Sequence, residues 1–170
     1  TSHKTLGGKL AIAFVRVDDR VIHGQIVTAW SKEFPCDGII AVDDKIAQDP
    51  VLSNVFKGAA PSGVKVWIFD IKTALEKLPK IIESNKKYFI IAKTPVVFQK
   101  LTEGGADLRN DNNNKINVGP MHLKDGARTI GPNAAVTKEE EEAFDYLAQR
   151  YKVEFKLIPD KKAYYWEEVK

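Results

Sequence analysis

The run Leu10-Ala11-Ile12-Ala13-Phe14-Val15-Arg16-Val17-Asp18-Asp19-Arg20-Val21-Ile22-His23-Gly24-Gln25 passes from a continuous apolar stretch into a charged one. Its first half has no polar alternation, so Lys9 to Val17 reads as a central strand buried on both faces. A charged loop follows, and a helical pattern begins near Gly24. In an α/β sheet this order places the loop at the carboxyl edge of a strand, where the next helix directs its free backbone N–H groups at whatever binds. An anion suits that position. Two guanidinium groups and one imidazole flank it, which makes a phosphoryl group the natural ligand and His23 the nucleophile of the segment.

Outward from this run, apolar stretches alternate with helical patterns, as expected for βαβ units and a mainly parallel sheet. Ile22, Ile26, Val27, Trp30 and Phe34 recur at spacings of three and four, predicting a helix of two to three turns that Pro35 ends. Gly38 to Val42 reads as the second strand. Asp49-Pro50 pairs a capping residue with proline at a first helical position, and the helix carrying Val51, Leu52, Val55, Phe56 and Ala59 stops at Pro61-Ser62-Gly63. Val64 to Phe69 is a third strand. Ile71, Ala74, Leu75, Leu78 and Ile82 form a helical stripe that Pro79 is expected to kink or divide. Tyr88 to Ala92 is the fourth strand, and Thr94-Pro95 opens a helix that Gly104-Gly105 closes.

The asparagine-rich stretch Asp107 to Asn114 reads as a surface loop, and Ile116 to Val118 as a short fifth strand. Between Met121 and Val136 the pattern yields only a weak strand, around Thr129-Ile130 or at Ala134 to Val136. Thr137-Lys138-Glu139-Glu140 is a capping box opening a helix with Ala143, Phe144, Leu147, Ala148 and Tyr151 inward. Val153 to Ile158 forms a last strand ended by Pro159, and Tyr164, Tyr165 and Trp166 make an aromatic tail that docks on the domain or on a neighbour. The fold class is therefore α/β: a doubly wound, mainly parallel sheet with helices on both faces. Residues 1–8 read as a flexible leader, tag or linker remnant, and residues 9–170 as one domain.

Composition narrows the function. The chain of 170 residues is 44% hydrophobic and 29% charged, enough apolar content for one sizeable core. No apolar stretch approaches the ~18–20 residues of a membrane span. A single cysteine, Cys36, excludes an internal disulfide framework, fits a reducing cytoplasm and reads as a small packed side chain. The net charge of +3 comes from dispersed residues without a basic face, which argues against a nucleic acid partner. The glutamates at 139–142 complement a helix dipole and have no histidine at ligand spacing, so no metal site is expected. His3 and His122 read as structural or solvated.

For the loop itself there is a bland account: Arg16, Asp18, Asp19 and Arg20 as an ordinary salt-bridge network with His23 capping the helix. Against it stand the arginine three residues before His23 and the glycine after it, which lets the backbone approach a bound group. The whole decapeptide Arg16 to Gln25 resembles the active loop of the IIB components of mannose/fructose/sorbose-type sugar phosphotransferase systems, whose pattern runs R-x-D-x-R-x-I-H-G-Q. Collinear stretches strengthen the similarity: Val42-Asp43-Asp44 to Ala47-Gln48-Asp49, Ala60-Pro61-Ser62-Gly63-Val64, Asn117-Val118-Gly119-Pro120-Met121, and Thr137 with Glu139 to Phe144. It covers about residues 10 to 160.

The resemblance implies a phosphotransferase of sugar uptake. A IIA domain donates the phosphoryl group from its phosphohistidine, the Nδ1 of His23 accepts it, and a sugar imported through membrane IIC and IID components receives it. It also implies one antiparallel strand near the C-terminus, no cofactor, and a cytoplasmic location at the membrane permease. Phosphoryl transfer of this kind asks for positioning and charge stabilisation. Arg20 and Arg16 would neutralise the phosphoryl oxygens while the N–H groups of Gly24 and Gln25 close the cradle. Asp18 or Asp19 would take the Nε2 proton of His23 or orient Arg20. Asp44, Lys93 and Thr94 are expected at the same edge, where they would meet partners, although cap and turn roles also explain them. A homodimer is compatible with the sequence.

A rival reading takes Asp18, Asp19 and Asp70 as the acidic pocket of a receiver-like signalling domain phosphorylated on aspartate with Mg²⁺. The lysine such domains carry after the fifth strand is missing from Val118-Gly119-Pro120-Met121. A nucleotide-binding module would need a glycine-rich fingerprint after the first strand, and the loop has none.

Overall fold

Seven strands build one twisted sheet in the order β3-β2-β4-β1-β5-β8-β9, in a computed structural model that describes residues 10–170. The expected leader and Lys9 lie outside the described residues. The strands are β1 (Ile12–Val17), β2 (Gly38–Val42), β3 (Lys65–Phe69), β4 (Tyr88–Ala92), β5 (Lys115–Val118), β8 (Lys152–Phe155) and β9 (Tyr164–Tyr165). β1 pairs in parallel with β4 on one side and β5 on the other. Its central place follows from its composition, since every residue from Ile12 to Val17 is buried.

The period of two along each strand divides the interior into two cores. Ile40 and Val42 of β2, Ile90 and Ala92 of β4 face one side, where they meet Ala74 and Leu78 of α4 (Ile71–Ile81), Phe98 and Leu101 of α5 (Pro95–Glu103) and Phe144 and Leu147 of α6 (Lys138–Ala148). Ile39, Ala41, Phe14, Phe89 and Ile91 face the other. There they pack on Val27 and Trp30 of α1 (Gly24–Ser31) and Ile46 of α2 (Asp44–Gln48), with Leu52 and Phe56 of α3 (Pro50–Gly58) against them. Helices thus cover both faces.

Caps stand where their residues require them. Asp49 accepts hydrogen bonds from the amides of Val51 and Leu52, Asp70 from that of Thr73, and Thr94 from that of Val96. Thr137 and Glu140 form the reciprocal capping box. The structure adds α2, a five-residue helix capped by Asp43 and too short for periodicity to reveal. α1 is shorter than its apolar stripe, leaving Ile22 and Phe34 packed outside it. α4 runs undivided through Pro79, which is followed by only Lys80 and Ile81 before the helix ends.

Three further expectations are corrected. The stretch 107–114 is only partly a surface loop: Leu108, Asn110 and Asn112 are buried, and the Asn110 amide donates to the carbonyls of Leu108 and Lys115. Asn113 and Asn114 take the positive φ that asparagine tolerates. β8 ends at Phe155, short of Ile158. The weak region 121–136 holds two strands instead of one, β6 (Arg128–Gly131) and β7 (Ala134–Val136), paired as a separate antiparallel hairpin.

The antiparallel strand implied by the resemblance is β9, two residues paired with β8. Side chains hold it there. Tyr164 stacks on Phe155 with ring centroids 4.9 Å apart, and Trp166, which opens α7 (Trp166–Val169), is buried with its Nε1 donating to Asp145 Oδ1 at 2.8 Å. The aromatic tail therefore docks on its own domain.

Candidate functional site

At the carboxyl edge of β1 the chain leaves the sheet between two neighbours. The Asp18 amide donates to the Ala92 carbonyl at the end of β4, and the Gly119 amide beyond β5 donates to the Val17 carbonyl. β1 leads through α1 to one side of the sheet, whereas β4 leads through α5 to β5 on the other. Loops at such a switch point diverge and leave a crevice. The loop carrying Asp18, Asp19, Arg20 and His23 lies there.

Asp18 organises the loop from beneath. Its side chain is 2% exposed, and Oδ1 accepts from the Arg20 amide at 2.9 Å and Arg20 Nε at 3.1 Å. Oδ2 accepts from Arg20 Nη2 at 3.0 Å and Arg16 Nε at 3.2 Å. The fork with Arg20 is bidentate, which fixes the plane of that guanidinium as well as its place. Hydrogen bonding to Asp18, foremost, pushes the Arg20 pKa up. Arg20 itself is 39% exposed, so its outer edge faces solvent.

Arg16 is enclosed beneath the loop. It is 2% exposed; Nη1 donates to Asn117 Oδ1 at 2.5 Å and to the Lys156 carbonyl at 3.2 Å, and its Cζ sits 6.0 Å from the Trp30 ring centroid. Burial, the dominant influence, lowers its pKa, and the Asp18 carboxylate opposes that. An arginine so enclosed ties β1 to β5 and β8. Periodicity could not show this, because a strand residue facing a buried carboxylate reads the same in sequence as one facing a ligand.

His23 is the N-cap of α1 with extended backbone, φ −127° and ψ 112°, and its carbonyl accepts from the amides of Ile26 and Val27. The amides of Gly24 and Gln25, in the first turn, have no intrahelical acceptor by position. The ring is half-buried. Its Nδ1 is buried with no hydrogen-bond partner among the described residues, against a cavity of about 10 Å³ lined by Arg16, Asp18, Val21, Ile26 and Val27 among others. Neither Asp18 nor Asp19 bonds the imidazole, so neither takes its second proton in this rotamer. An added Cβ on Gly24 would lie 3.0 Å from the Ala59 carbonyl, so its bareness also serves the packing of α1 against the end of α3.

Val21 carries φ +62°, a conformation rare for a β-branched residue. Its amide donates to the Asp18 carbonyl at 2.9 Å and its side chain is buried. The local turn and the buried valine hold the strain in place two residues before His23.

Asp19 joins a residue that the sequence reading set aside. Its Oδ2 accepts from the His122 amide at 2.8 Å and lies 2.5 Å from His122 Nδ1. His122 stands on the loop after β5, and the only advance signal was its place after Gly119-Pro120 at the same sheet edge. Asp44 accepts from the Ile71 amide at 2.8 Å, Thr94 caps α5 and lies 3.3 Å from Glu140 Oε2, and Lys93 is exposed. Asp70 is turned to its own helix, Asp18 to two arginines and Asp19 to His122, so the three carboxylates of the receiver-like alternative do not converge.

The sequence matches the family described as PTS system sorbose subfamily IIB component over residues 12–169. It is 35% identical over 140 residues to the PTS system sorbose-specific EIIB component of Lacticaseibacillus casei, covering 82% of each chain. With the PTS system fructose-specific EIIB component of Bacillus subtilis it shares 32% identity over 149 residues, 87% of this chain and 88% of that one. Its fold is similar to the crystal structure of the PTS system N-acetylgalactosamine-specific IIB component 1 from Escherichia coli, with a TM-score of 0.81 and 27% identity, covering 89% and 97% of the two chains. Fold, loop and length of the match agree, and the chain belongs to the sorbose subfamily of IIB components of the sugar phosphotransferase system.

Proposed function

We propose that this chain is the phosphocarrier between a IIA domain and an imported sugar, with His23 as the residue that holds the phosphoryl group. The observation that carries the reading is the Asp18–Arg20 fork. It fixes a half-exposed guanidinium three residues from His23, whose backbone is the N-cap of α1. Fixed cationic donors beside a nucleophile, set before the substrate arrives, are what a loose phosphoryl-transfer transition state uses.

In this mechanism the phosphoryl oxygens lie against the outer edge of Arg20 and the amides of Gly24 and Gln25. The α1 terminus favours the negative charge. Arg16 acts at one remove, holding Asp18 and through it Arg20. Acceptance at Nδ1 requires the imidazole to turn about its Cβ–Cγ bond, because Nδ1 faces inward in the described rotamer. The donor is the phosphohistidine of a IIA domain. The chain works beside the permease with IIC and IID components, and among the described residues no helix is long and apolar enough to cross a membrane. The family match over residues 12–169 supports reading 9–170 as one IIB unit.

The test is a phosphate relay from phosphoenolpyruvate through the general components and a cognate IIA domain. The label should appear on His23, resist base and be lost in acid. His23→Ala should take no label while keeping the wild-type unfolding transition. Label retained in that variant would overturn the assignment.

A further inference from the structure

Beside the phosphate loop lies a recess of about 370 Å³ lined by Asp19, Arg20, His122, Leu123, Thr129 and Asn133 among others. His122 is 66% exposed there and supports no core. Its place is nonetheless determined: backbone amide and ring Nδ1 both meet Asp19 Oδ2, at 2.8 and 2.5 Å. Asp19, 14% exposed, is in turn anchored by its amide to the Pro120 carbonyl at 3.3 Å. A carboxylate on Nδ1 holds the proton there and leaves Nε2 as the free, basic nitrogen, the arrangement by which an aspartate orients a catalytic histidine.

We propose that His122, oriented by Asp19, accepts the proton of the sugar hydroxyl when the phosphoryl group leaves His23 for a sugar that the membrane components present at this edge. The inference rests on the phosphocarrier reading of His23. In the step, the P–N bond of phosphorylated His23 breaks and its electron pair returns to the ring. The acceptor oxygen forms the new P–O bond, and its proton passes to His122 Nε2 and then to water. Arg20, on the wall of the same recess, stays with the phosphoryl oxygens.

The experiment separates charging from discharge. The protein is charged through a IIA domain, then discharged to sugar in vesicles carrying the IIC and IID components. His122→Ala should slow discharge by about 10²-fold or more, the usual contribution of a positioned proton acceptor, and slow charging by a few-fold at most. Asp19→Asn should slow discharge in the same direction. Nitrogen-15 spectra should show the His122 ring protonated at Nδ1, with that preference lost in Asp19→Asn. Discharge at the wild-type rate, equal slowing of both half-reactions, or a ring protonated at Nε2 would each overturn the proposal. Wild-type protein that takes no label on His23 would instead overturn the phosphocarrier reading beneath it.

Discussion

The guanidinium of Arg16 occupies the space that a Cβ on Gly119 would need, so the bare backbone after β5 is what admits the buried arginine under the loop from Asp18 to His23. Gly119 does not have the positive φ that would demand glycine, and the requirement is one of contact alone. Gly119→Ala should therefore displace the guanidinium and lower stability by about 1–3 kcal/mol, the range for overpacking a filled interior. Denaturant titration checks it. An unchanged midpoint would show that Arg16 moves aside freely.

Asp18 is the counter-charge for a buried cation. Asp18→Asn should destabilise by about 3–5 kcal/mol, because breaking a buried pair leaves Arg16 uncompensated. The double variant Arg16→Met, Asp18→Asn should recover part of that loss, since the orphaned charge is then gone. A double variant less stable than Asp18→Asn alone would contradict the account.

Val21 is buried yet lies at φ +62°. Both Val21→Ala and Val21→Gly lose the apolar contact, but only glycine also relieves the left-handed strain of about 1–2 kcal/mol. Val21→Gly should then be the more stable of the two by about 1 kcal/mol, opposite to their order at an ordinary strand or helix position. Thermal melts of the pair decide the sign.

Burial, aided by the charge of Asp37, pushes the Cys36 thiol up to about 11 from 9.0. Below pH 9 the thiol is protonated folded or unfolded, and Cys36 adds nothing to the pH dependence. As pH rises from 9 towards 11 the unfolded chain loses this proton first, so the stability it contributes is lost across that window. Titrating unfolding between pH 8 and 11 in wild type and Cys36→Ser should show the steeper decline in wild type. At pH 8 the folded thiol should also react with disulfide reagents more slowly than the unfolded one.

The strands Gly38–Val42 and Tyr88–Ala92 and the helix opened by Thr137 stand where periodicity and caps put them, because their signals are local: continuous apolar runs and hydroxyls facing their own amides. β9 and the β6–β7 hairpin were not legible in this way. Strands of two to four residues carry no measurable period, and the direction of β9 is fixed by Tyr164 on Phe155 and by the burial of Trp166.

The decapeptide from Arg16 to Gln25 by itself determined the family, the loop at the strand's carboxyl edge and the choice of His23, since all of these depend on residue types at fixed spacing. Only the tertiary structure divided the two neighbouring aspartates, sending Asp18 under the loop to the arginines and Asp19 outward to His122. It also withdrew Arg16 into the interior and brought in His122 from a loop about a hundred residues away. Asp18 follows the strand and Asp19 enters the turn after it, and what each side chain meets is set by the elements packed around it, which residue types at fixed spacing do not encode.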